Sequence, residues 1–359
     1  MRARLAFALL LLGATVRAED AGQPVTFGSR SSESFPVQAF GAGPRVVFDS
    51  GASDPIAAPW NTVLIQGFLP DPAVTFEAKR AGGGPPDWTR LEMHRFPNGR
   101  FWARARATPG PGRLRLRALD TGVSRDHAVE VYSVETFVAN PESSEASIPP
   151  SRGPKDPGAQ RPFVHPRAEW KAVPATEPYT PDPLPWRITL HHSDGRYTQT
   201  LQESLDEVRF IQDFHIHGRG WIDIAYHFAV DPLGNIIEGR PEGMLGAHTL
   251  DDNEGNVGIV LLGNYHPPVN NRPTVPQLAA VAALGRYLVA RYGISPDTLK
   301  GHRDYKVTDC PGDRAYATLP ALRRALVGAP APGLAGARRT AASLSRINAG
   351  SFDAAVLGH

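Results

Sequence analysis

Two hydrophobic rhythms divide the chain. From about residue 24 to 137, apolar and polar side chains exchange every second position, the period of strands with one face buried. Val63-Leu64-Ile65, Val74-Thr75-Phe76 and Phe101 to Ala107, with Arg104 and Arg106 on the opposite face, carry this pattern. Leu114, Leu116 and Ala118 alternate with Arg113, Arg115 and Arg117 in the same way. Turn formers at Pro97-Asn98-Gly99 and Pro109-Gly110-Pro111-Gly112 separate the runs. Short strands punctuated like this predict an all-β, sandwich-like domain over 24–137. The region holds no chemical motif. Its Trp60, Trp88 and Trp102 read as exposed aromatics, so the expectation divides between a structural or spacing module and one that binds glycan or cell wall.

From Asn140 to Gly158 the composition turns to Pro, Ser, Glu and Gly, which predicts a linker over 138–162. Beyond it, strand and helix periods alternate. Ile188 to His191 reads as a buried strand, and Leu201, Leu205, Val208 and Ile211 recur at helical spacing. Ile224 to Val230 predicts a second strand with Tyr226 and His227 on opposite faces, then Asp231 to Asn235 turns the chain into Ile236-Ile237-Glu238. Val257 to Leu262 predicts a third strand. Thr274 and Gln277 form a capping-box pattern for a helix that Gly293 stops. The Pro-rich stretch Pro174 to Pro185 is expected to wrap this domain. The whole reads as a mixed α/β domain with flanking helices over 163–327, followed by a flexible tail, 328–359, rich in Ala, Gly, Pro and Arg.

The N-terminus adds an address. Met1-Arg2-Ala3-Arg4, the apolar run Leu5 to Leu12 and Val16-Arg17-Ala18 predict a signal peptide over 1–18, cut after Ala18, and hence a secreted or periplasmic product. Cleavage would remove Arg2, Arg4 and Arg17 and take the formal charge from +2 to −1, so no basic excess points to nucleic acid. The apolar run falls far short of the roughly 20 residues of a membrane span, and no other stretch comes close. The mature product is expected to have no transmembrane segment and to be a monomer.

Composition then narrows the chemistry. Cys310 is the only cysteine, so no disulfide can form within the chain. It lies eight residues after His302, across the short loop Arg303 to Asp309. Catalytic zinc takes three protein ligands and keeps a fourth position for water. The third donor is expected from His191 or His192, and because successive strand residues face opposite sides, one of the two reaches the metal. His248 is expected to line a groove or to serve a structural turn, and Asn253 and Asn256 to hydrogen-bond substrate or to supply plain turn chemistry. His215 and His227 read as structural, and Asp223 and Arg240 as loop anchors.

A set of segments then gives these donors a context: Pro166-Arg167-Ala168-Glu169-Trp170, Ile188 to Ser193, Ile211 to His215, Gly220 to Phe228, Glu238-Gly239-Arg240, Gly246-Ala247-His248-Thr249, Asn256 to Ile259, Gly301-His302-Arg303-Asp304 and Asp309-Cys310-Pro311-Gly312. In this order the region from 163 to about 327 resembles the zinc-dependent N-acetylmuramoyl-L-alanine amidases shared by phage endolysins, bacterial wall amidases and animal peptidoglycan recognition proteins. The resemblance implies Zn2+ held by His191, His302 and Cys310, a catalytic Tyr226, and Thr308 where phage enzymes carry lysine. It implies peptidoglycan or muropeptides as partner and hydrolysis of the amide between N-acetylmuramic acid and L-alanine. The cysteine pair frequent in animal members is missing, which points to a bacterial-style secreted enzyme. Two rival expectations are a module that binds peptidoglycan without cutting it and another zinc peptidase acting on wall peptides.

Overall fold

The structure, a computed structural model, describes residues 23–27, 33–37, 45–70, 72–81, 88–122, 127–139, 156 and 158–327. The expected signal peptide, most of the linker and the tail lie outside these residues.

Among the described residues of the first region, ten strands follow one another: β1 (Gln23–Pro24), β2 (Glu33–Val37), β3 (Arg45–Ala52), β4 (Trp60–Phe68), β5 (Val74–Ala81), β6 (Thr89–Arg90), β7 (Glu92–Arg95), β8 (Arg100–Gly110), β9 (Arg113–Asp120) and β10 (His127–Phe137). All pairings are antiparallel. One sheet runs β1-β10-β4-β8-β7, with β2 also on β10, and the other runs β3-β9-β5-β6. The alternation along β9 places Leu114, Leu116 and Ala118 inward and its arginines outward. These side chains meet Val63 and Ile65 of β4, Phe76 of β5 and Phe101 and Ala103 of β8 in one apolar core shared by both sheets.

Two of the tryptophans read as exposed are buried instead. Trp60 is 1% exposed, with Nε1 donating to the Gly112 carbonyl at 3.0 Å, and Trp102 is 2% exposed. Period two tells which residues share a face, and it does not tell what covers that face. Trp102 lies on the side of β8 that the second region covers, where Nε1 donates to Asp213. Trp88 is half-buried beneath the cations of Lys79 and Arg117. Trp60 and Trp102 are therefore too buried to offer a ring to glycan.

The second region is built on a mixed five-stranded sheet, ordered β13-β12-β14-β11-β15. Its strands are β11 (Arg187–His192), β12 (Phe228–Val230), β13 (Ile236–Glu238), β14 (Asn256–Leu261) and β15 (Leu299–Gly301). β11 pairs parallel with both β14 and β15, β12 pairs parallel with β14, and β13 is the antiparallel edge. Helix α1 (Leu201–Asp213) covers one face and runs on into a π-helical turn, Phe214–Arg219, that Gly220 closes at φ +82°. On the other face pack α2 (Val275–Tyr292) and α4 (Leu319–Val327), with the short α3 (Asp313–Tyr316) preceding the latter. β11 and β14 are buried along their whole length because helices cover both faces, and their apolar runs read accordingly.

Caps explain where these helices start and stop. Thr200 and Thr274 accept from the backbone N–H three residues on, and Gly293 ends α2 in the left-handed conformation at φ +67°. The Gln277 side chain departs from the capping-box pattern: it turns into the core, accepting from the Tyr265 hydroxyl and donating to the Val230 carbonyl. The predicted second strand is shorter than its apolar run, since pairing begins at Phe228 and Tyr226 precedes it. Asp223 ties together the segment before the sheet, meeting Arg167, Gln212 and the Tyr179 hydroxyl, while Arg240 donates to the carbonyls of Ile224 and Leu245. The Pro-rich segment lies along this domain, with a bridge between Pro181 and Met244.

Candidate metal centre

Parallel strands deliver side chains at their carboxyl ends. His191 lies near the end of β11, and His302 immediately follows β15, the neighbouring parallel strand. Cys310 returns to the same point after a short 3₁₀ turn (His302–Asp304) and loop, with Arg303 N–H donating to the Cys310 carbonyl at 2.9 Å. Ligand atoms of His191, His302 and Cys310 all lie within 4.8 Å of one another, a group that could hold a metal ion. His192 goes the other way. Its Nδ1 accepts from the Tyr265 N–H at 3.3 Å, as strand alternation requires of the next residue.

The hydrogen bonds around His191 fix its tautomer. His248 Nε2 lies 3.0 Å from the Asn256 carbonyl, which can only accept, so that nitrogen carries the proton. Burial lowers the His248 pKa well below the ordinary value, so the ring is neutral and its Nδ1 is an acceptor. His191 Nε2, 3.0 Å from that Nδ1, is then the donor. The Thr249 hydroxyl shares the same acceptor at 3.0 Å. The chain from Asn256 through His248 leaves the lone pair of His191 on Nδ1, which faces Cys310 Sγ at 3.5 Å.

Burial also sets the charges. It lowers the His191 pKa well below the usual histidine range and takes that of His302 down to about 4, so both rings offer lone pairs at neutral pH. Burial pushes the Cys310 thiol up to about 12. His302 Nε2 is buried and has no hydrogen-bond partner among the described residues. A soft thiol and two neutral imidazoles, one of them with a buried and unpartnered Nε2, converge on one point and match the donor set that zinc takes.

Tyr226 stands beside this cluster, its ring centroid 5.2 Å from that of His191, and burial raises its phenol pKa above the ordinary 10. Thr308 accepts from the Cys310 N–H at 3.2 Å. His248 is 6% exposed and sits behind His191. Asn253 Oδ1 accepts from the N–H groups of His248 and Thr249 at 2.8 Å each. Asn256, also buried, accepts from the Thr189 hydroxyl and donates to the Asp252 carbonyl. These asparagines shape the turn from 248 to 256. His215 Nδ1 accepts from the Ala225 N–H, and His227 Nδ1 accepts from the Gly258 N–H, both within the fold.

Sequence reasoning passed over Asp194. It is held at φ +47°, where few residues other than glycine sit, and accepts from Asn264 Nδ2 at 2.5 Å; burial raises its pKa well above the carboxylate range. The His-His-Ser-Asp-Gly run gave no spacing signal for it.

The family model described as N-acetylmuramoyl-L-alanine amidase matches residues 181–313, the stretch that contains this cluster. Peptidoglycan-recognition protein SC2 of Drosophila simulans is 34% identical over 151 residues, 42% of this chain and 80% of that protein. N-acetylmuramoyl-L-alanine amidase of Sus scrofa is 35% identical over 167 residues, 44% of this chain but 27% of that longer protein. A solved structure of wild-type Drosophila PGRP-LB aligns at 32% identity over 44% of this chain and 92% of that one, with a TM-score of 0.39. The chain belongs to the N-acetylmuramoyl-L-alanine amidase family, a hydrolase family whose relatives include peptidoglycan-recognition proteins.

Proposed function

We propose that this protein is a zinc-dependent amidase that hydrolyses the bond between N-acetylmuramic acid and L-alanine in peptidoglycan. The observation that carries the reading is the convergence of His191, His302 and Cys310, with His302 Nε2 buried and unpartnered among the described residues. Zinc, when bound, supplies Lewis acidity toward a carbonyl and an activated water near neutral pH. The protein's own groups do the rest. His248 holds the His191 ring in the tautomer whose Nδ1 can ligate. Tyr226, kept protonated by burial, donates its hydroxyl hydrogen to the oxyanion that develops as the amide is attacked. Thr308 accepts from Cys310 N–H, which leaves its own hydroxyl proton to donate toward substrate. His248, Asn253 and Asn256 influence substrate binding through the turn they brace.

The same reading takes 24–137 as an all-β domain, 138–162 as linker, 163–327 as the amidase domain and 328–359 as tail. It also takes 1–18 as an export signal, on the apolar run Leu5 to Leu12. No helix among the described residues is long and apolar enough to cross a membrane.

A second reading, recognition of muropeptides without hydrolysis, is favoured by the relatives named recognition proteins. One experiment separates the two. Purified protein incubated with sacculi should release peptides that begin with alanine, lose that activity on chelation and regain it with zinc. Binding without release would establish the second reading. Full zinc content and activity in Cys310→Ala would defeat the first.

A further inference from the structure

The strongest unexplained feature outside the metal cluster is a buried ion pair that joins the two regions. Arg100 of β8 and Glu207 of α1 are each 1% exposed and meet through two hydrogen bonds, Nε to Oε2 at 2.8 Å and Nη2 to Oε1 at 3.0 Å. Nη1 donates to the Gly67 carbonyl and Nη2 also to Gln66 Oε1, both of β4, and the centre of the Phe210 ring of α1 lies 3.8 Å from the guanidinium carbon. A guanidinium stays charged in proteins, so this cation is tolerable inside only while Glu207 is there. Around the pair, Leu64, Trp102 and Phe137 of the β region share one core with Leu205, Val208 and Ile211 of α1. Polar ties surround it: Trp102 Nε1 to Asp213 at 2.8 Å, Arg104 to the His217 carbonyl at 2.8 Å, and an ion pair between Glu135 and Arg219.

This interface is apolar around a matched pair of buried charges, unlike a module swinging on a tether. It also touches the site. The turn after β11 packs on the ion pair so closely that a methyl group at Gly195 would lie 2.8 Å from Glu207 Oε1 and 3.4 Å from Arg100 Nη2. That turn is fastened to the sheet by Ser193 N–H donating to the Leu261 carbonyl at 2.9 Å, and it begins one residue after His192.

We propose that the β region is a fixed part of the amidase frame, with Arg100 and Glu207 as positioning residues that hold the 193–197 turn beside the strand end carrying His191. The positioning role rests on the amidase reading above; the fixed attachment does not. A protease site inserted between residues 141 and 150 of the full-length chain, outside the described residues, tests the attachment. After complete cleavage the two pieces should elute together from a sizing column, with turnover of a soluble muropeptide unchanged. Pieces that separate overturn the proposal. Positioning is tested in the intact chain by Glu207→Gln and, should that variant fold poorly, by Gly195→Ala. Each should lower kcat by about tenfold to a hundredfold while KM and zinc content stay as they were. Wild-type kcat in a folded variant overturns the positioning role. If the intact protein cuts no muropeptide but the cleaved pieces stay together, the amidase reading fails and the fixed attachment stands.

Discussion

The two regions bury different things. The core shared by the two sheets of the β region is made of Val, Leu, Ile, Phe, Ala and Trp, and Arg100 and Asp120 are the charged residues buried among its described residues. The α/β region buries His191, His192, His215, His227 and His248, together with Glu207, Asp223 and Asp231. Burying polar groups costs free energy unless each is paired, so a domain that buries many is constrained at many points at once. An apolar core can be repacked with little consequence beyond stability. A buried histidine network holds ring orientations and tautomers, so its disturbance should reach the candidate metal site as well as the stability of the fold.

The sharpest way to break this contrast is to remove a large side chain from the first core. Phe76→Ala should cost about 3–5 kcal/mol of stability, by thermal or denaturant unfolding, and leave zinc affinity of the folded fraction unchanged. Reduced zinc affinity there would mean that the cores are not separable. In the second region Tyr226→Phe should do the opposite, lowering kcat by about a hundredfold to a thousandfold, roughly 3–4 kcal/mol, with stability and zinc content intact.

Acid should discriminate as well. Burial takes the His227 pKa to about 4, while the neighbouring Met244 carbonyl, which accepts from its Nε2, raises it and the Arg240 charge lowers it further. The His248 ring also packs against it at 5.7 Å. In the unfolded chain the group titrates near 6.5, so the folded state has the lower pKa. The stability it contributes is complete above pH 6.5, falls as pH drops, and is lost below about 4, a change of about 3 kcal/mol. Unfolding midpoints measured from pH 7 to 4 should slope less in His227→Gln, and an unchanged slope would remove His227 from the account. The smallest expected effect is His248→Phe. It keeps a ring but removes the acceptor for His191 Nε2–H, and should weaken zinc about tenfold to a hundredfold in chelator competition.

Much of the second region was readable because its signals are local. The apolar run of β11, the helical spacing of α1, the Thr274 cap and the Gly293 stop each depend on neighbours within a few residues. The His302 and Cys310 spacing was legible for the same reason, and the resemblance supplied the preference for His191 over His192. What stayed hidden was set by distant partners. Gln277 turns inward because Tyr265 and Val230 offer it partners, Tyr226 falls outside the strand because pairing with β14 starts at Phe228, and Trp102 is covered by a helix more than a hundred residues away. The Arg100 and Glu207 pair spans 107 positions. One hint was available: Glu207 sits beside Val208 and one turn before Ile211, a charged residue at helical spacing with the apolar positions of α1.

The position of β15 gives the cluster a place in time. Two of the three donors, His302 and Cys310, lie beyond that strand, and the third waits 119 positions upstream of Cys310 on β11. While the chain is being made or moved, a segment ending before β15 can form much of the sheet and still offer a metal a single donor. The last strand of the sheet in chain order is the one that leads directly into two of the three donors. A metal held by all three donors therefore requires β15 and the loop to Cys310 to be in place beside β11, whereas α3 and α4 lie beyond the last donor.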